Sequence, residues 1–82
     1  MVKVTFTKEF KAIFSRIKDN SIKEKISKQI KKIKTNPEIG KPMKYERKGT
    51  RELYIKPFRL SYVYNIAEEN VYLLDLYHKK EQ

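Results

Sequence analysis

The apolar residues of this chain follow two different periods. Val2, Val4 and Phe6 alternate with Lys3 and Thr5, the period-two pattern of a short strand. Phe10, Ile13, Phe14 and Ile17 then recur at helical spacing. Thr7 stands where it can cap that helix, and Glu9 lies in its first turn, where the helix dipole favours an acid. The pattern predicts an end around residues 18–20. Ser21 and Glu24 have capping-box spacing, so a second helix is predicted to start there, with Ile22, Ile26, Ile30 and Ile33 as its stripe. Branched Ile is not the strongest helix former, so burial against the rest of the chain must hold this helix together. Asn36-Pro37 stops it.

Gly40, Pro42 and Gly49 punctuate the connection that follows. Two strand-like runs then meet at a tight joint. Leu53 and Ile55 alternate with Tyr54 and Lys56, and Leu60, Tyr62 and Tyr64 alternate with Arg59, Ser61 and Val63. Pro57 donates no ladder hydrogen bond, which suits the turn of a β-hairpin. Arg59 should therefore project from the face opposite Leu60 and Tyr62. Glu68-Glu69-Asn70 makes the next turn. In the last strand Val71, Leu73 and Asp75 should share one side, and Tyr72, Leu74 and Leu76 the other. A strand apolar on most of both faces belongs inside a sheet. The order is β-α-α-β-β-β, an α+β fold with an antiparallel sheet and a helical pair on one face.

Composition sharpens this picture. The 82 residues have the size of one small domain, spanning 1–82, and show no internal repeat. Twenty Lys and Arg against ten Asp and Glu give a formal charge of +10. The excess sits in residues 1–48, since residues 49–82 balance at zero. Such a charge attracts a polyanion, a membrane surface or an acidic protein. The absence of cysteine excludes a disulfide framework, and one His without Cys excludes a Cys/His zinc site within one chain. No apolar run is long enough to cross a bilayer, and the start lacks the apolar segment of a signal peptide. The reading is a soluble, cytoplasmic protein without a targeting segment.

Nucleophile triads, paired carboxylates and Gly-rich phosphate loops find little support. A different set does. Arg51, Lys56, Arg59, His78, Lys79 and Lys80 on neighbouring strands could surround one phosphodiester without a metal or cofactor. Cations there would stabilise developing negative charge while a ribose 2′-OH attacks the adjacent phosphate, and His78 could exchange the proton. Arg offers a planar fork to phosphate oxygens, Lys a point charge. Lys44, Arg47 and Lys48 in the connection either border a substrate channel or form plain surface. Lys28 and Lys32, with Lys25, lie away from the Ile stripe, as phosphate-backbone contacts or a solvated face. Tyr62 and Tyr64 are read as packing residues, with base stacking as the alternative.

Taken in order, these segments resemble the RelE/ParE toxin superfamily of toxin–antitoxin systems over nearly the whole chain. The resemblance is carried by the Asn36-Pro37 to Gly40-Lys-Pro-Met43 connection, the Phe58-Arg59-Leu60-Ser61-Tyr62 strand and the closing Leu73-Leu-Asp-Leu-Tyr-His-Lys79. It implies a microbial-ribonuclease-like domain of the RelE-like branch, an endoribonuclease that cuts mRNA on the translating ribosome. By position it makes Arg59 the stabiliser of the transferring phosphate, Lys56 a base or phosphate ligand, and His78 a proton-transfer group. Lys79 would stand where relatives usually have a phosphate-binding Arg. Arg51 and Lys80, with Lys44, Arg47, Lys48, Lys28 and Lys32, would contact the RNA. The tight joint at Pro57, Lys79 in place of Arg and the lack of the C-terminal Tyr common in relatives are departures. The resemblance further implies a cognate acidic antitoxin, and a toxin–antitoxin heterotetramer. ParE-like inhibition of DNA gyrase, or RNA and ribosome binding without catalysis, are the alternatives within the same fold.

Overall fold

The computed structural model describes residues 2–44 and 49–78. The expectations at Arg47, Lys48, Lys79 and Lys80 therefore lie outside the described residues. Strand β1 (Lys3–Phe6) leads into α1 (Lys8–Arg16) and α2 (Asn20–Thr35), followed by β2 (Lys41–Pro42), β3 (Arg51–Ile55), β4 (Phe58–Asn65) and β5 (Asn70–His78). The strands form a sheet in the order β1-β5-β4-β3-β2. Three of its four pairings are antiparallel, but β1 runs parallel to β5, so the sheet is mixed rather than antiparallel throughout. A parallel neighbour requires a crossover, and the two helices lie in the connection leaving β1. Among the described residues no helix is long and apolar enough to cross a membrane.

Local chemistry sets the helix starts. Thr7 caps α1, accepting from the Phe10 N–H at 3.3 Å while its hydroxyl donates to the Leu73 carbonyl at 2.6 Å, which pins the helix to β5. The second cap is Asp19, two residues before the expected Ser21. Its Oδ1 accepts from the Ser21 N–H and hydroxyl and from the Ile22 N–H. Those bonds hold the Asp19 carboxyl below its ordinary value, the Ser21 hydroxyl contributing most. A carboxylate accepts from several donors at once, so it displaces serine from the cap.

The core fills one face of the sheet. Phe10 from α1 and Ile26 and Ile33 from α2 meet Leu60, Tyr62, Val71, Leu73 and Leu76 from the strands. The last strand departs from strict alternation. A register shift between Ser61 and Tyr62 pairs Tyr62 with Leu73 and Ser61 with Asp75, leaving Leu74 as an extra residue. Beyond it the faces exchange, so Leu76 joins Val71 and Leu73 in the core while Asp75 is exposed. The two-residue strand β2 was also hidden in what reads as a connection, because Lys41 and Pro42 are both exposed.

Tyr62 fastens the segment between α2 and β2 to this core. Fully buried, its hydroxyl donates to the Pro37 carbonyl at 2.7 Å and accepts from the Gly40 N–H at 2.8 Å. A Cβ at Gly40 would stand 2.7 Å from that hydroxyl, so the close approach needs glycine there. Burial raises the Tyr62 phenol above its ordinary value of 10.0, against smaller lowering by the Gly40 N–H and Arg51. This contribution to stability is complete below pH 10.0 and is lost as pH rises through the raised folded-state value. Tyr62→Phe strands the Gly40 N–H and the Pro37 carbonyl, and should cost about 2 kcal/mol in urea unfolding at neutral pH. The variant should also lose stability less steeply than the parent above pH 10.0.

Candidate functional site

With Leu60 and Leu76 facing the helices, alternation turns Arg59 to the open face of the sheet. There Tyr54 pairs with Arg59 and Arg59 with Tyr77, making one row across β3, β4 and β5. The neighbouring row is Glu52, Ser61 and Asp75. Successive rows on one face are two residues apart, so the side chains of these rows meet.

Arg59 Nη1 donates to Glu52 Oε1 at 3.3 Å, and the Tyr77 hydroxyl donates to Glu52 Oε2. The Glu52 side chain is only 4% exposed against 29% for Arg59, so the carboxylate lies deeper and the arginine side chain is partly open to solvent. Arg59 Nε is buried and has no hydrogen-bond partner. The unit is thus a buried acid gripping a cation and a phenol.

The other predicted residues separate into several places. His78 pairs with Phe58 in register, and their rings meet edge-on with centroids 5.8 Å apart. That puts His78 on the helix side, opposite Arg59, so the expected convergence of the two is corrected by strand alternation itself. Arg51 also lies on the helix side, where it pairs with Tyr62 in register. It donates to the Glu38 and Gly40 carbonyls at 3.1 and 2.8 Å and pairs with the Glu38 carboxylate at 3.6 Å. This commits Arg51 to anchoring the segment before β2 rather than to a shared phosphate site. Lys56 is exposed in the two-residue turn between β3 and β4, and Lys44 is exposed beyond β2. Lys28 and Lys32 are exposed on α2, on the layer across the sheet from Arg59, and do not join its face.

Sequence reasoning missed Glu52, Tyr54 and Tyr77 as parts of this face. The hairpin alternation carried a signal for the first two, because residues 52 and 54 fall on the side of Arg59. Tyr77 carried none, since its side depends on the extra residue at Leu74. Among the described residues no three His, Cys, Asp or Glu side chains gather as a metal site.

The chain matches the sequence model of the ParE toxin of type II toxin–antitoxin systems over residues 2–82. No curated protein sequence matches it. Among solved structures it resembles a chain of the RelBE2 toxin–antitoxin complex of Mycobacterium tuberculosis, with a TM-score of 0.85 and 21% identity, covering 95% of this chain and 98% of that one. It also resembles a chain of the intact Escherichia coli RelBE complex, at 0.80 and 12% identity over 93% and 94% of the two chains. A conserved hypothetical protein from Helicobacter pylori, known by its solution structure, shares 26% identity at a TM-score of 0.66, over 98% of this chain and 97% of that one.

Proposed function

We propose that the chain, which belongs to the ParE toxin family of type II toxin–antitoxin systems, is a toxin that cuts mRNA on the translating ribosome. The carrying observation is Arg59, held on the open face by Glu52 between two tyrosines with its side chain partly exposed. In the proposed reaction the ribose 2′-oxygen bonds to phosphorus as the bond to the 5′-oxygen breaks. A 2′,3′-cyclic phosphate remains, and the proton lost from the 2′-OH ends on the departing oxygen. Arg59 would stabilise the charge that builds on the phosphate. Lys56, Lys79 and Lys80 are proposed as further phosphate contacts. His78 stands on the other side of the sheet, so we assign it no part at that phosphate.

A second reading, ParE-like inhibition of DNA gyrase without RNA cleavage, is favoured by the family match and by one structural feature. Glu52 and Asp75 share the face of Arg59 and offset its charge, which weakens a phosphate site. In a translating extract with mapped cut ends, Arg59→Ala should lower cleavage at least about 100-fold, while His78→Ala should retain most of it. Intact mRNA with gyrase-dependent DNA breaks would replace the nuclease reading with the gyrase one.

A cognate antitoxin is the expected partner, since the M. tuberculosis and E. coli relatives are described as toxin–antitoxin complexes. We propose that its acidic, amphipathic segment enters the groove where Val4, Phe6, Phe14 and Ile30 are bordered by Lys31 and Lys34. Apolar contact and opposite charge would act together there. Reversing both lysines with Lys31→Glu and Lys34→Glu should weaken binding of a purified cognate antitoxin by about tenfold at low salt. Unchanged affinity and salt dependence would move the partner to another surface. The stoichiometry we propose, a heterotetramer, is read from the mass of the purified complex.

A further inference from the structure

The open face of the sheet has an odd composition for a backbone clamp. Its described groups in the two rows around Arg59 are two phenols, two carboxylates and the Ser61 hydroxyl, with no second cation. Carboxylates repel phosphate, but an exposed one such as Asp75 can accept hydrogen bonds from the amino edges of bases, whereas Glu52 is buried and already engaged. The flat faces of tyrosines attract bases irrespective of charge. Tyr54 is 51% exposed, which leaves a large aromatic surface in water on the strand beside Arg59. Tyr77 is half-buried, its hydroxyl tied down by Glu52, which fixes the ring as a rigid neighbour on the other side. An arginine between two ring systems adds a third flat group on which a base can lie.

We infer that the row Tyr54, Arg59 and Tyr77 is a base-stacking platform for single-stranded RNA, with Tyr54 the residue that a base covers. The inference rests on the RNA reading above and deepens it by separating two tasks. Bases lie on the sheet, and the strand's phosphates meet the partly exposed Arg59 and the exposed Lys56 at the hairpin turn. Asp75, exposed in the adjoining row, accepts the Leu76 N–H on Oδ1 and would offer its other oxygen to a base amino group. The platform would therefore favour bases that carry one.

The test is binding rather than cleavage, so that it stands apart from the nuclease reading. Anisotropy of a labelled single-stranded RNA of about ten nucleotides is compared with an abasic strand of equal length and charge. The parent should hold the RNA at least about tenfold more tightly than the abasic strand. Tyr54→Ala should erase that difference, and Tyr54→Phe should keep it, because a ring stacks without its hydroxyl. Tyr54 is largely exposed, so both variants should fold, as circular dichroism will confirm. Equal affinity for the two strands, no binding of either, or an unchanged preference in Tyr54→Ala would each overturn the platform. If the parent prefers bases yet leaves mRNA intact in the translating extract, the nuclease reading fails and the platform stands.

Discussion

A carboxylate buried in a sheet this small must be paired, and Glu52 organises the open face by requiring it. With only 4% of its side chain exposed, it would be costly to leave without donors. Arg59 and Tyr77 supply them from the two neighbouring strands, and so three strands are stitched together through one acid. Breaking a fully buried pair typically costs about 3–5 kcal/mol, and less where one partner is as solvated as Arg59 is here. The same pairing fixes where the guanidinium points. The role proposed for Arg59, whichever target it meets, would depend on this anchor.

The helix side is organised by a matching device made of uncharged and charged donors. Tyr62 and Arg51, paired in register, reach from the sheet to the carbonyls of Pro37, Glu38 and Gly40. They satisfy backbone groups that the end of α2 and the following turn would otherwise leave bare. In doing so they hold β2 beside β3 and remove Arg51 from the pool of free cations. The two arginines of β3 and β4 are thus divided by strand parity. Arg51 turns to structure and Arg59 to the open face.

Much of this was legible in the residues. The Ile stripe of α2, the Thr7 cap, the Pro57 joint and the outward direction of Arg59 all follow from periods and backbone rules that act locally. What was not legible depends on events between strands. Leu76 rather than Asp75 lies in the core because one residue is extra at Leu74, and no pattern within β5 announces that shift. His78 followed the same parity away from Arg59. Asp19 took the cap from Ser21 through bonding capacity that spacing alone does not rank. The burial of Glu52 depends on its neighbours across two strands, which alternation within the hairpin does not reveal.

The central claim is that the face around Arg59 meets RNA. The most direct test replaces Tyr54 with the photoreactive residue p-benzoylphenylalanine in cells that are translating, and identifies what becomes attached on irradiation. The account predicts attached mRNA fragments, lost when Arg59→Ala is added. Attachment to a gyrase subunit with no nucleic acid would contradict it.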